Sequence, residues 1–300
     1  MAVIDGFTRR RVALPGITLS VQEAGSGPPL ILLHGFPQNG MCWSKVAPEF
    51  ARHFRTIVPD LRGYGESDAP PDDPDHITYS KRRMAEDIVA LMDELDIRSA
   101  HILGHDRGAR VSYRLALDHP GRLRRLGIIE IVPTGDFWNA WTAELAMAAW
   151  HWTFLAQPAP LPERMISADP LPWLDTLLST WLRSHDLSDL PPAALQSYRD
   201  QMGQPDRVHA MCADYRAGAT TDRRIDEASR AAGEKIAAPL SYLWAEKGFP
   251  ARSGDPLSLW RAWATDLNGA SCASGHFVQE ENPGAVLDQF LPFFLQGSER

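Results

Sequence analysis

Apolar and polar positions alternate from Arg11 to Leu14 and from Ile17 to Glu23 around Pro15-Gly16, the pattern of a hairpin at the edge of a sheet. Pro29 to Leu33, Phe54 to Val58, Ala100 to Gly104, Leu126 to Val132 and Leu240 to Trp244 are instead short apolar runs, as in strands buried on both faces. Between them, Tyr79 to Leu95 carries Met84, Ile88, Leu91 and Leu95 at helical spacing. Val111 to Leu117 reads as a helix that stops at His119-Pro120, and Trp260 to Leu267 and Pro283 to Leu295 also read as helices. Gly269 to Ala273 completes the strand series. Strands alternating with helices predict an α/β fold, a mostly parallel sheet with helices on both faces. Reactive loops of such a sheet gather at the carboxyl ends of its strands.

One stretch breaks the alternation. From Thr134 to about Arg230 the chain turns aromatic, helical and proline-punctuated, and it holds Trp138, Trp141, Trp150, Trp152, Trp173 and Trp181, six of the ten tryptophans. That much apolar surface needs a partner, and the strand ends offer one. The expected organisation is a core from 1–133, a helical cap from 134–230, and the rest of the core from 231–300.

Composition narrows the function. Three hundred residues, 44% hydrophobic and 23% charged, suit a globular enzyme with a full hydrophobic core. A net charge of −8 with no basic stripe argues against a nucleic-acid partner. Cys42, Cys212 and Cys272 have neither disulfide nor zinc spacing, which fits a reducing compartment. With no apolar leader at the N-terminus and no run of about 18 apolar residues, the expectation is a cytoplasmic protein with no membrane partner.

The candidate chemistry centres on Ile102-Leu103-Gly104-His105-Asp106-Arg107-Gly108-Ala109-Arg110, a strand, a glycine-bracketed turn and a helix start. This is the layout of a nucleophile elbow, whose glycines make room for close backbones. Here the exposed position holds Asp106, which is ionised at neutral pH without help from a base and can attack carbon to form an ester. The competing reading makes Asp106 an ordinary helix N-cap. Arg107 and Arg110 lie three apart at the helix start, hence on one face, where two guanidinium forks and the helix N-terminus suit a small carboxylate. Upstream, His34-Gly35-Phe36-Pro37-Gln38 ends a buried strand and can aim a backbone N–H into the site. The loop Asp60 to Ser67 reads as structural, its charges pairing locally.

Asp106, Glu130 and His276 fall in the order nucleophile, acid, histidine, each after a predicted strand, and this order resembles the α/β-hydrolase fold with a helical cap. The run Gly104 to Arg110, His151-Trp152, and Asp214-Tyr215-Arg216-Ala217-Gly218 resemble, more closely, the fluoroacetate (haloacetate) dehalogenases. The α/β-hydrolase resemblance covers essentially the whole chain; the dehalogenase resemblance rests on these three stretches. It implies a haloacid substrate, with Arg107 and Arg110 on its carboxylate and His151, Trp152 and Tyr215 as halide donors. It further implies an oxyanion hole from the backbone N–H groups of Phe36 and Arg107, Trp181 on the pocket wall, no cofactor or metal, and a homodimer. His276 would activate water against the ester, oriented by Glu130. The chain departs from these relatives in carrying Glu130 where they have Asp; Glu246, after the next strand, is the alternative acid.

Two other functions compete. Epoxide hydrolases share the Asp, His and acid but usually use two cap tyrosines, for which Tyr198 and Tyr215 are available; an uncharged epoxide would leave the two arginines without a role. A non-catalytic ligand receptor on the same fold would need no matched nucleophile, acid and base.

Overall fold

The computed structural model describes residues 2–296. Its sheet contains β1 (Thr8–Leu14), β2 (Ile17–Ala24), β3 (Pro29–Leu33), β4 (Arg55–Pro59), β5 (Ala100–His105), β6 (Leu123–Ile129), β7 (Leu240–Ala245) and β8 (Leu267–Cys272), in the spatial order β1-β2-β4-β3-β5-β6-β7-β8. The hairpin β1–β2 forms as the alternation predicts, and β2 runs antiparallel to β4; every other neighbouring pair is parallel. Each apolar run is a strand because it is covered on both faces. Leu30 to Leu33 and Ile102–Leu103 have no exposed surface. The α/β expectation therefore holds, with Asp106, Glu130 and His276 all beyond the carboxyl ends of strands.

Two boundaries differ from the sequence pattern. β6 ends at Ile129, not Val132, because Glu130 adopts a left-handed backbone (φ 59°) while its N–H still bonds Leu243 O at 2.9 Å. The carboxylate thus leaves the strand rather than interrupting it. The stretch Trp260 to Leu267 is not one helix: the helix is Pro256–Arg261, started by Pro256 and capped by the Asp255 side chain on Leu257 N, and Leu267 already opens β8. The loop after β4 is structural as expected, yet its charges do not pair locally. Arg62 reaches the buried Asp87, 25 residues on, through two bonds of 2.8 and 2.7 Å.

The region after β6 forms helices from Thr134–Asn139 to Thr221–Ala231 before the chain returns to β7. Trp152 and Trp181 are buried, whereas Trp150 is exposed beside Met147, Leu161 and Met165 in sequence. None of the described helices is long and apolar enough to cross a membrane.

His101, in β5, shows the cost of burying a polar ring. It lies between Phe54 and Phe294 (ring centroids 5.9 and 5.3 Å), and neither ring nitrogen has a hydrogen-bond partner among the described residues. Burial, aided by Arg124 and Arg125, pushes its pKa down to about 4. A depressed histidine leaves stability intact above its unfolded pKa of about 6.5 and removes it as pH falls toward 4. Relative to wild type, His101→Leu should therefore gain roughly 3 kcal/mol between pH 8 and pH 4. Urea unfolding at several pH values checks this, and parallel curves for the two proteins would refute it.

Candidate active site

The turn between β5 and the helix Arg107–Asp118 is an elbow in its geometry as well as its sequence. Asp106 has φ 45° and ψ −115°, a conformation costly for any residue with a Cβ and held only because its surroundings enforce it. A Cβ on Gly104 would fall 2.6 Å from Ala109 Cα, and one on Gly108 would fall 2.2 Å from Leu33 O. Both glycines answer to this close approach. Asp106 stands at the N-cap position without making a side-chain cap bond; its Oδ1 instead accepts the Phe36 N–H at 2.9 Å. The capping alternative is thereby removed, and the HGFP turn is shown to aim a donor at Asp106.

Asp106 is 6% exposed, and burial alone would raise its pKa. Attraction to His276, Arg107 and Arg110 outweighs burial and holds the carboxyl well below its usual range, so it is ionised. His276 Nε2 lies 4.0 Å from Asp106 Oδ2, and His276 Nδ1 lies 3.8 Å from Glu130 Oε1. The imidazole thus stands between the two carboxylates, at separations that a hydrogen bond would shorten. Catalytic hydrogen bonds are often long before substrate binds. Glu130 is buried, with Oε2 accepting Ala245 N at 2.7 Å; burial raises its pKa and His276 opposes that shift. Glu246 is exposed. Of the two acids, then, it is Glu130 that faces the histidine.

The two arginines share a face as their spacing requires, and both guanidiniums lie against the Trp152 ring, 4.9 and 4.7 Å from its centroid. Their settings differ. Arg110 donates to Val132 O and Thr134 Oγ1 at 3.0 Å each, keeps Nε without a partner, and lines the cavity. Arg107 is not on the cavity wall: it stacks on Tyr215 at 3.6 Å with Asp214 Oδ1 3.7 Å away. None of its three nitrogens makes a hydrogen bond among the described residues. Burial lowers the Arg107 pKa, but Asp214 more than compensates and keeps it above the ordinary value; Arg110, without such a carboxylate, is pushed down by burial.

Asp106, Arg110, Glu130, His151, Trp152, Trp181, Tyr215 and His276 all border one cavity, closed further by Ile131, Val132, Phe137, Phe249 and Pro250. Phe36 brings its backbone N–H to Asp106 while its ring packs on Tyr215 at 5.0 Å, outside the cavity wall. Burial pushes His151 well below the ordinary histidine pKa, so the ring is neutral, and its Nδ1 has no partner. Such a wall combines neutral ring donors with one arginine, Arg110, around an ionised carboxylate. It suits a small anion that carries a leaving group.

Two supporting networks were not legible in the sequence. Lys81 contacts Asp214, which also accepts the Tyr64 hydroxyl at 2.8 Å, and Asp222 Oδ2 stands 3.7 Å from Lys81 Nζ. All four are buried, and they fix the carboxylate that faces Arg107. In the second, Gln38 and Tyr198 both donate to Glu280, and Gln201 donates to Pro37 O. Gln279 reaches His105 Nδ1 at 3.3 Å, and His105 Nε2 meets His276 O at 2.9 Å. Burial and the neighbouring His276 push His105 down to about 3, so it is neutral, and donating from Nε2 to the carbonyl leaves Nδ1 free to accept. The turn with Phe36 and the loop with His276 are thus tied to each other and to the helix Pro192–Met202. Gln38 next to HGFP and Asp214 next to Tyr215 were visible signals; their partners, up to 242 residues away, were not.

A family model described as the α/β-hydrolase fold matches residues 28–283. A fluoroacetate dehalogenase of Burkholderia sp. is 37% identical over 292 residues, 96% of this chain and 95% of the relative. A soluble epoxide hydrolase of Corynebacterium sp. (strain C12) is 30% identical over 293 residues, 96% and 97% of the respective chains. Among solved structures, a proposed epoxide hydrolase of Pseudomonas aeruginosa has a TM-score of 0.92 at 40% identity and covers 100% of this chain and 99% of its own.

Removing one member of a buried ion network leaves its partners uncompensated. Asp214→Ala should lower folding stability by about 3–5 kcal/mol, read as a drop in the urea midpoint. A loss below about 1 kcal/mol, the scale of an exposed pair, would mean that Lys81 and Arg107 do not depend on it.

Proposed function

The chain belongs to the α/β-hydrolase family, and from that premise we propose that it hydrolyses the carbon–halogen bond of haloacetates, fluoroacetate among them, through an ester on Asp106. The observation that carries the reading is Arg110, a buried guanidinium on the cavity wall beside the ionised elbow carboxylate, with its Nε unpartnered among the described residues. A buried cation with no carboxylate paired to it among the described residues favours an anionic partner, while Arg107, balanced by Asp214, lies behind the wall. With its carboxylate held by Arg110, a two-carbon acid presents its halogen-bearing carbon to Asp106.

In the first half, an Asp106 oxygen attacks that carbon, the carbon–halogen bond breaks, and halide leaves with the bonding electrons. His151, Trp152 and Tyr215 are the donors available to it, and at roughly 1.5–3 kcal/mol per charged hydrogen bond three of them amount to several powers of ten in rate. In the second half, water adds to Asp106 Cγ as His276 takes its proton, with Glu130 stabilising the imidazolium. The N–H groups of Phe36 and Arg107 serve as oxyanion donors. The bond from Cγ to the glycolate oxygen then breaks, His276 returns its proton to that oxygen, and the regenerated carboxyl ionises. Haloacetate and water thus give glycolate, halide and a proton.

Epoxide hydrolysis is the second reading, favoured by the full-length similarity to an epoxide hydrolase. It has one phenol on the cavity wall, Tyr215; the Tyr198 hydroxyl is committed to Glu280 at 2.9 Å.

Purified protein given fluoroacetate, chloroacetate and styrene oxide separates these readings. Equal fluoride and glycolate are expected, with none from Asp106→Ala; diol without halide would replace this reading by epoxide hydrolysis, and an inert wild type that binds small acids would make the protein a receptor. His276→Asn should release one equivalent of halide and stall with a glycolyl ester on Asp106, seen by mass spectrometry. Because the Asp106 carboxyl is held below its usual range, the rate of that burst should stay flat from about pH 5 upward. A burst that rises through pH 6–7 would put the nucleophile elsewhere.

A further inference from the structure

Glu130 is one methylene longer than an aspartate, and its extra length has to go somewhere in a buried site. It goes to Gly248. A Cβ built on Gly248 would fall 1.8 Å from Glu130 Oε1, 2.7 Å from Cδ and 2.9 Å from Oε2. No substituent of any kind fits there while the carboxylate keeps its place. Oε1 is also the oxygen that faces His276 Nδ1, at 3.8 Å. The other oxygen, Oε2, is held by Ala245 N, so the group has little freedom to swing aside.

Glycine is not needed at 248 for its backbone. Its φ of −73° and ψ of −178° are open to any residue, and its N–H makes an ordinary turn bond to Ala245 O at 3.0 Å. The one thing its missing side chain provides is room for the acid. We propose that Gly248 is a positioning residue: the space it leaves open is what allows a glutamate at 130 to stand against His276, so that residues 130 and 248 set the length of the triad acid together. The role of Glu130 in this statement rests on the reading given under Proposed function; the steric pairing does not.

The consequence is a specific dependence between two substitutions. Gly248→Ala must push the Glu130 carboxylate off His276, and a displacement of about 1 Å in such a site costs on the order of 100-fold. The loss should fall on ester hydrolysis alone. Halide should still be released in a first burst at the wild-type rate, because Asp106 and its arginines are untouched, and the ester should accumulate. Shortening the acid withdraws it by about one carbon–carbon bond, near 1.5 Å, which relieves the contact. In the Glu130→Asp background, Gly248→Ala should therefore change turnover less than about threefold.

The experiment is a four-protein cycle of wild type, Gly248→Ala, Glu130→Asp and the double variant. Single-turnover halide burst, steady-state turnover with chloroacetate, and the His276 ring resonances by NMR are measured for each. The proposal expects Gly248→Ala to move the His276 resonances and slow turnover in the wild-type background, and to do neither in the Glu130→Asp background. Equal damage in both backgrounds, or none in either, overturns it. Should wild type turn over styrene oxide instead of haloacetate, the same cycle is read on diol release. Should it turn over neither, the functional reading fails, and the NMR shifts alone still decide the pairing of 130 with 248.

Discussion

An ionised carboxylate in a buried turn is costly unless neighbouring charges and donors stabilise it, and the arrangement around Asp106 follows from that constraint. Its backbone is strained, with φ at 45°, and it is only 6% exposed. The Phe36 N–H, His276 and the two arginines offset the desolvation and keep the group charged. A carboxylate stabilised this far is less basic, so under the proposed reaction its reactivity has to come from orientation. The elbow supplies it: the strained turn admits one direction for the side chain, toward the cavity.

The arginines carry the same problem outward. Arg107 has no exposed surface and its guanidinium makes no hydrogen bond among the described residues, so its charge is balanced by Asp214, whose charge is in turn shared with Lys81 and the Tyr64 hydroxyl. This chain of buried charges crosses from the sheet core into the helix Pro205–Ala219, which also carries Tyr215. One consequence is structural, since the helical insert is locked to the core by ions rather than by apolar contact alone. Another is chemical. An anion arriving at Arg110 would meet an environment already neutralised pair by pair, with only the unmade bonds of the guanidiniums left to satisfy.

Histidines in the site are used in opposite ways. His105 and His151 are buried and neutral, the first tying the His276 carbonyl to Gln279 and the second facing the cavity as a ring without a committed partner. His276 stands instead between Asp106 and Glu130, 4.0 Å from one carboxylate and 3.8 Å from the other. The fit of Glu130 into the space over Gly248 belongs to the same pattern: a buried polar group is tolerated where a specific neighbour has given way to it.

The sheet, the elbow and the order of Asp106, Glu130 and His276 were legible in the chain, because apolar runs, helical spacing and bracketing glycines act over a few residues. The chain also marked His151, Trp152, Trp181 and Tyr215, which a single cavity brings together. That Glu130 faces His276 while Glu246 points to solvent was visible in the three-dimensional fold and not in the chain, since both follow adjacent strands and differ by where the turn sends them. The fold alone removed Arg107 from the cavity wall, moved the end of β6 to Ile129, and divided the expected helix Trp260 to Leu267 between a helix and a strand. Those outcomes depend on ladder bonds, caps and ion pairs between residues far apart in the chain, and a one-dimensional pattern does not carry the distances on which such interactions turn.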